Sequence, residues 1–498
     1  MNASLMILEI AVLVLGIALL LLDLWTPPAR KRRLGYGAAV ALVVVLAYSF
    51  KLTGETGFAF GQAYAFDGLA LFFKRFFLLA AILVLVMAAE FSDRIASGIS
   101  EFYSLILFAL AGMMFAASAN SFPMLFVSLE LITVTFYVLT SFQRNRLASL
   151  EAGVKYLILG ALSSAFLVYG IALVYGASGT MDFAELAGKS AALKDQPLFL
   201  LGLLLVLAGL GFKIAAFPFQ IWAPDVYQGS PAPATAFLAV GSKAAGFVLL
   251  LRLFNTVGLD VTWHWEKLLM VMAAVTILYG NLCAIPQRNL KRLLGYSSIA
   301  NAGYLLLGVA AMTTAGSTAV LYYLAGYLFT VLAAFSVVAI IIRKTDIEDV
   351  SGLAGLNQRS PLLAATLTLA MVSLAGVPPL AGFFGKFLLL KSVVEQGGSY
   401  HAYYWLTAVA LAGVVISFWY YFGVIRAIYW SKDPADLSPI EVSLPARISL
   451  YACIAGMLFL GLFPNWLVEN ARAAVQPPPP AKIAEKTAVA VASPASIK

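Results

Sequence analysis

Long apolar runs separated by short polar connections occupy most of this chain. A helix crosses the hydrocarbon layer of a bilayer with about 20 apolar residues, and most of the runs have about that length. The pattern therefore predicts an all-α integral membrane protein with about 14 transmembrane helices. The predicted spans are 5–24, 34–52, 69–90, 102–119, 122–142, 153–175, 198–222, 232–254, 266–285, 292–312, 317–342, 361–391, 402–430 and 446–466.

Basic residues concentrate in every second connection between these spans. The connections are "PPARKRR" (27–33), "QRNR" (143–146), "QRNLKR" (287–292), "RK" (343–344) and "RAIYWSKD" (426–433). Positively charged connections of membrane proteins face the cytoplasm, so this count places both termini on the outer side. The net charge of +8 follows from these connections and requires no nucleic-acid partner.

The composition agrees with a membrane protein and limits its chemistry. Hydrophobic residues make up 62% of the 498 positions and charged residues only 11%, against about a quarter in soluble domains. Cys283 and Cys453 are too few for a four-cysteine iron–sulfur cluster, and both histidines, His264 and His401, fall in polar connections. The sequence contains no phosphate-binding glycine loop. We therefore predict neither a metal site nor a cofactor in this chain, and an energy source in a partner or an ion gradient.

Four ionisable residues lie deep within predicted spans. Glu130 lies in "MLFVSLELITVTFYVL", Lys213 in "GLLLVLAGLGFKIAAF", Lys243 in "FLAVGSKAAGFVLL" and Lys386 in "LAGVPPLAGFFGKFLLL". A charge at the centre of a bilayer is costly unless it is paired or hydrated. A lone lysine often extends along its helix to the headgroups, and a glutamate can serve only as a hydrogen-bonding group in the bundle. Four deep charges of mixed sign favour ion transport.

Four other ionisable residues carry less information because they lie nearer to span ends. These are Asp67, Lys74, Glu90 and Lys155. Anchoring at the interface, or extension of the side chain to the headgroups, explains each of them at least as well as a transport role.

Prolines interrupt two of the predicted spans. Pro218 falls in the seventh span, and Pro378 and Pro379 fall in the twelfth. Because proline removes a backbone hydrogen bond, a broken membrane helix must be buried in protein or line a hydrated cavity. One broken helix in each half of a chain indicates inverted repeats around an ion pathway. We therefore predict two inverted five-helix repeats, spans 4–8 and 9–13, although the lysine precedes the break in the first and follows it in the second.

The predicted repeats divide the chain into five parts. They are a three-helix segment (1–101), a first antiporter-like repeat (102–256), a second repeat (257–430), a C-terminal helix region (431–475) and a disordered tail (476–498).

Four motifs are similar to those of one family of membrane proteins. They are "GFKIAAFPFQIWAPDVYQGSP" (211–231), "NLKRLLGYSSIANAGY" (289–304), "DIEDVSGLAGL" (346–356) and "LAGVPPLAGFFGKF" (374–387). With them the chain resembles the antiporter-like membrane subunits of proton-pumping NADH:quinone oxidoreductase, respiratory complex I, over nearly its whole length. Lys386 disfavours the subunit M branch, which has a glutamate there, and the lack of a long lateral helix after the last span disfavours subunit L. The resemblance is therefore to the subunit N branch.

The resemblance implies a role for each deep charge. Glu130 corresponds to the family's glutamate on the fifth helix, Lys213 and Lys386 to the lysines on the broken seventh and twelfth helices, and Lys243 to the lysine on the eighth. Together they would translocate protons across the middle of the membrane. The family often has histidine where this chain has Gln220 and Asn301, so a histidine relay at those positions cannot operate here.

The resemblance also implies partners and a location. The partners would be other membrane subunits of complex I, above all neighbouring antiporter-like and small membrane subunits, within the lipid bilayer. NADH, FMN, iron–sulfur clusters and quinone would bind partner subunits, which makes this chain a non-redox subunit of the enzyme. The location would be the bacterial inner membrane, with both termini in the periplasm.

A physical mechanism follows as a hypothesis. Burial weakens the hold of a lysine on its proton, and a nearby carboxylate strengthens it. A Glu130–Lys213 pair would therefore retain the proton when closed and release it through water towards Lys243 and Lys386 when open. Three alternatives remain on the sequence alone: a subunit of a cation/proton antiporter complex, a membrane subunit linked to a hydrogenase, and a purely structural subunit. Residue type also leaves sodium open as the transported ion.

Overall fold

The computed structural model describes residues 3–257, 262–430 and 437–476. In these ranges 13 helices are long and apolar enough to cross a membrane. The twelfth predicted span lies in the same ranges as two shorter helices. The predicted all-α membrane architecture is confirmed, whereas the predicted disordered tail, apart from Gln476, lies outside the described residues. The division of the chain into repeats and domains stays a prediction.

Of the elements in the described residues, eleven α-helices and one small hairpin lie in the first half of the chain. A π-helical turn, Leu238–Ser242, joins α10 to α11, and the hairpin pairs its two strands antiparallel between α2 and α3. The elements are α1 (Ile7–Asp23), α2 (Lys31–Ser49), β1 (Gly57–Ala59), β2 (Tyr64–Phe66), α3 (Gly68–Glu90), α4 (Ile99–Ala117), α5 (Phe122–Thr140), α6 (Leu147–Ser178), α7 (Phe183–Leu193), α8 (Pro197–Ile214), α9 (Trp222–Gly229), α10 (Ala232–Phe237) and α11 (Lys243–Val257).

The second half contains nine further α-helices. They are α12 (Thr262–Ala284), α13 (Leu290–Ala310), α14 (Thr314–Thr345), α15 (Leu356–Arg359), α16 (Pro361–Ala375), α17 (Ala381–Val394), α18 (Ala402–Trp430), α19 (Leu444–Leu462) and α20 (Pro464–Val475). Three of the long helices are largely buried within the protein, namely α10–α11 as one continuous span, α13 and α14. They form the centre of the bundle, and the charged residues discussed below lie on or against them.

Both predicted breaks are present. The seventh span stops at Ile214 and resumes at Trp222, and the twelfth stops at Ala375 and resumes at Ala381. In the first break, the Trp222 indole donates to the carbonyl of Phe212 at 3.0 Å, and the backbone N–H of Phe217 donates to the Thr276 hydroxyl at 2.9 Å. Protein groups thus satisfy the polar backbone atoms that the break leaves free, as a membrane requires.

Glu348 links the connection that contains "DIEDVSGLAGL" to two neighbouring segments. Glu348 accepts from Arg146 at 2.9 Å, lies 3.2 Å from the Lys291 ammonium and accepts from Asn289 at 3.1 Å. Burial raises the pKa of the Glu348 carboxyl, but the positive charge of Lys291 and the hydrogen bond from Arg146 outweigh burial and hold it below its ordinary value. The Glu348 carboxylate therefore stays negatively charged across the ordinary pH range. Its contacts link the connection after α14 to the start of α13 and to the connection between α5 and α6.

Candidate proton-transfer site

The three lysines predicted from the sequence are buried in the centre of the bundle. Lys213, Lys243 and Lys386 expose 3%, 2% and 4% of their surface. These fractions leave no room for the side chains to extend to the headgroups. Glu130 is only half-buried, so it lies at the edge of this row of charges.

Lys213 lies in the last turn of α8, directly before the first break. Its ammonium donates a hydrogen bond to the hydroxyl of Thr133 on α5, one turn after Glu130 on the same helix. The Glu130 carboxylate accepts instead from Ser164 on α6, at 2.5 Å. Among the described residues no ion pair within 4.0 Å joins Glu130 to Lys213, and the Lys213 ammonium is held by Thr133 instead.

Lys243 is the first residue of α11 after the π-helical turn. Its ammonium donates to the backbone carbonyl of Ser298 on α13 at 2.5 Å and also to the Ser298 hydroxyl. That hydroxyl lies 3.0 Å from the phenol of Tyr327 and 3.1 Å from the phenol of Tyr227. Ser298 is therefore a junction between one lysine and two tyrosines, which come from α14 and α9.

Lys386 bridges the two helices on either side of the second break. It lies on α17, and its ammonium donates hydrogen bonds to the carbonyls of Leu374 at 2.6 Å and Ala375 at 3.4 Å, the last two residues of α16. The C-terminal end of a helix carries partial negative charge and favours a cation. In the sequence Lys213 precedes its break and Lys386 follows its break. Even so, Lys213 and the ammonium of Lys386 each lie at the C-terminal end of the helix before the break.

One face of α13 connects the second lysine to the third. Ser298, Asn301 and Tyr304 follow each other at intervals of three residues, which places them side by side on a helix. Ser298 contacts Lys243, and the Tyr304 ring centroid lies 4.8 Å from the Lys386 ammonium. The distance along the axis from Ser298 to Tyr304 is about 9 Å.

Asn301 lies midway along this face, where the family often has histidine. Its carbonyl oxygen accepts from the phenol of Tyr323 at 2.5 Å, and its amide donates to the carbonyl of Ser297 at 2.9 Å. The Ser297 hydroxyl in turn lies 2.5 Å from the phenol of Tyr421. An amide does not carry protons as an imidazole does, but it holds two hydroxyl groups in a continuous polar layer. Gln220 is also buried, and its side-chain oxygen is without a hydrogen-bond partner in the part of the chain that the structure describes.

The sequence reasoning missed Thr133, Ser164, Ser298 and the tyrosines around them. A weak signal was present, because polar residues recur at positions 298, 301 and 304 within an otherwise apolar span. The charges nearer to span ends are held in ion pairs. Lys155 pairs with Asp225 at 2.7 Å, and Glu90 pairs with Arg32 at 2.7 Å.

The site consists of ammonium groups, hydroxyls and one carboxylate, which are groups able to exchange protons through hydrogen bonds. In residues 3–257, 262–430 and 437–476, no group of three or more histidine, cysteine, aspartate or glutamate side chains could hold a metal ion.

Replacing Ser298 by alanine should lower proton transport severalfold. The substitution removes the only side-chain oxygen that Lys243 contacts among the described residues and disconnects it from Tyr227 and Tyr327. Acidification of energised membrane vesicles measures the effect. Ser417→Ala is the matched control, because among the described residues the buried Ser417 hydroxyl donates only to the Val414 carbonyl of its own helix. Equal transport by both variants would contradict a role for Ser298.

Comparison with known proteins identifies the family. Residues 119–417 match the model of the family described as NADH:quinone oxidoreductase/Mrp antiporter, TM. The chain is 42% identical over 475 residues to NADH-quinone oxidoreductase subunit N of Desulforamulus reducens, which covers 95% of this chain and 98% of the relative. It is 38% identical over 470 residues to subunit N of Moorella thermoacetica, with 94% and 98% covered.

Solved structures give the same assignment. A chain of respiratory complex I from Thermus thermophilus, solved with bound aureothin, superposes with a TM-score of 0.79 at 35% identity and covers 94% of this chain and 99% of its own. A chain of the Mrp complex from Dietzia sp. superposes with a TM-score of 0.83 at 20% identity, covering 95% and 97%, which shows a shared fold. The chain therefore belongs to the antiporter-like membrane subunits of NADH:quinone oxidoreductase, in the subunit N branch of that family.

Proposed function

We propose that this chain translocates protons as a membrane subunit of NADH:quinone oxidoreductase, through Glu130, Lys213, Lys243 and Lys386. The observation that carries the proposal is the row of three lysines, each at least 96% buried, two of them at broken helices. A structural subunit would have no use for buried ammonium groups that each require compensating polar contacts. The family assignment supplies the energy source that the chain lacks.

The proposed proton path follows the hydrogen-bonded groups. Closure of the Glu130 carboxylate onto Lys213 would draw the ammonium away from Thr133 and retain its proton. Opening of the pair would leave the proton on a group without a hydrogen-bonded counterion and favour its passage to Lys243. From Lys243 the Ser298 hydroxyl and the polar layer around Asn301 would lead to Lys386.

The redox chemistry belongs to other subunits in this proposal. This chain would hold no redox cofactor, while NADH, FMN, iron–sulfur clusters and quinone would bind partner subunits. Its neighbours would be antiporter-like and small membrane subunits of the same complex. We place the chain in the bacterial inner membrane with both termini in the periplasm, because the connections rich in arginine and lysine then face the cytoplasm.

Purification of the complete complex through an affinity tag on this chain tests the proposal. We expect NADH-oxidising, iron–sulfur-containing subunits to copurify, and reconstituted vesicles to acidify when NADH and quinone are supplied. A protonophore should abolish the acidification and a sodium ionophore should not. Copurification of small antiporter subunits without NADH oxidation, or sodium-dependent transport, would contradict the proposal. The relatives at 38% to 42% identity favour the first outcome over the antiporter and hydrogenase alternatives.

A further inference from the structure

A buried ion pair lies outside the row of lysines. The Lys74 ammonium on α3 is 2.8 Å from the Glu9 carboxylate on α1, and both side chains are 0% exposed. Lys74 lies two turns into α3, close to the end of its span, but it does not extend to the headgroups. Buried charges are expensive even when paired. The pair is therefore an unusual feature of the contact between α1 and α3.

A tyrosine from the hairpin joins the two charges. The Tyr64 hydroxyl accepts from Lys74 at 2.6 Å, and its single proton is shared between Glu9 Oε1 at 2.9 Å and the Leu5 carbonyl at 3.0 Å. The ammonium also lies 4.5 Å from the ring centroid of Phe66, at the end of the same strand. Carboxylate, phenol and ammonium thus form a closed triangle, in which a proton can move between any two members through one hydrogen bond.

One buried oxygen of this triangle, Glu9 Oε2, has no hydrogen-bond partner in the described part of the chain. Ser118 lies next to the tyrosine, because its side chain interacts with the Tyr64 phenol and its carbonyl accepts from the N–H of Ala65 at 2.8 Å. Buried polar atoms are rarely left unpaired. The carboxylate therefore has one oxygen free to take up a proton.

The surrounding charges connect the triangle to the helix that carries Lys243. Asp67, at the start of α3, forms a bidentate ion pair with Arg252 on α11, with N–O distances of 2.8 and 3.0 Å. Arg252 also donates to the Ala117 carbonyl at 2.6 Å and follows Lys243 by nine residues, which is about 13.5 Å along the axis. Lys74 interacts electrostatically with Asp67 and Arg252. A change of charge at Lys74 therefore changes the electrostatic energy of the Asp67–Arg252 pair.

We propose that Glu9 and Lys74 form a second proton-transfer site, through which protons pass between the row of lysines and the side of the membrane where the hairpin lies. This inference rests on the proposed function. A proton that arrives at Glu9 Oε2 converts the carboxylate to a carboxylic acid and deprives Lys74 of its counterion. Lys74 then releases a proton towards Tyr64 and the hairpin, and the acid passes its proton to the neutral amine. One proton enters, one leaves, and the ion pair is restored.

Replacement of Glu9 by glutamine in the assembled complex tests the site. We expect Glu9→Gln, and the doubly neutral Glu9→Gln/Lys74→Gln, to pump at least twofold fewer protons per NADH oxidised. The double variant places a hydrogen-bonding amide at each position but has no charge, so a merely structural pair predicts unchanged pumping in the assembled complex. Normal pumping by either assembled variant overturns the inference. If Lys213 variants lose pumping while both Glu9 variants retain it, only this inference fails, and the proposed function stands.

A measurement on the unmodified complex gives an independent answer if the variants do not assemble. Dicyclohexylcarbodiimide attaches to carboxyl groups that are protonated in apolar surroundings, and peptide mass spectrometry locates the adduct. We expect an adduct on Glu9 during turnover, with the ion-paired Glu348 of the connection unlabelled in the same sample. No adduct on Glu9 in a sample where Glu130 is labelled overturns the inference.

Discussion

Replacing Lys213 by methionine is expected to lower NADH-driven proton pumping by about 100-fold or more, the lower end of what one positioned proton-transferring group contributes. Methionine has a similar length and suits the apolar end of α8, so the complex should assemble. The ammonium that contacts Thr133 is lost, and methionine carries no exchangeable proton to take its place between Glu130 and Lys243. The measurement is dye-reported acidification of vesicles, recorded together with the rate of NADH oxidation. Because the two are coupled, both should fall.

Lys391→Met is the control for this experiment. Lys391 follows Lys386 on α17, but its side chain is 57% exposed and lies 3.7 Å from Glu395. Its loss should leave pumping unchanged. Normal pumping by an assembled Lys213→Met complex would mean that the buried lysine serves only packing, and the proposed proton path would fail at its first step.

Replacing Gly461 by alanine is expected to reduce the amount of assembled complex strongly. A β-carbon at this position would lie 1.8 Å from the carbonyl oxygen of Pro379 and 2.8 Å from the backbone of Leu380, within the break of the twelfth span. Backbone cannot move aside as a flexible side chain can, so the cost should be at the upper end of the roughly 1–3 kcal/mol typical of overpacking. Native gel electrophoresis and the thermal midpoint of the purified complex measure the effect.

Gly423→Ala provides the comparison for this substitution. Gly423 lies in α18, and a β-carbon there meets no atom within 4 Å. The same change of residue should therefore leave assembly intact. Equal yields of the two variants would show that α19 and the break move apart at little cost, and that the close approach of Gly461 to Pro379 has no role in shaping the break.

The helical architecture followed from the sequence because membranes impose a length on every apolar run. Both breaks were also predictable, since Pro218, Pro378 and Pro379 cannot continue a helix. The π-helical turn before Lys243 was not, because "LAVGS" contains no residue that demands it. All five of its residues are buried within the bundle.

The partners of the buried charges could not be predicted for a related reason. A span offers several hydroxyl groups, and only the rotation of each helix in the bundle decides that Lys213 meets Thr133 and Lys243 meets Ser298. Lys74 illustrates the limit most clearly. Its position near a span end favoured anchoring at the interface, but α1 and the hairpin cover it completely, and neither their path nor their contact with α3 can be deduced from hydropathy.

The bond from Lys386 to the end of α16 makes residue 386 and the break a single unit. The ammonium donates hydrogen bonds to two carbonyls that the proline pair leaves without helical partners. It therefore links α16 to α17 in addition to carrying a charge. An ionised glutamate at this position would place its carboxylate next to these carbonyl oxygens. Both groups only accept hydrogen bonds, so no hydrogen bond would form between them. Exchange of lysine for glutamate at this position is therefore a change of local architecture, and a chain that makes it has to fasten its half-helices with a different donor.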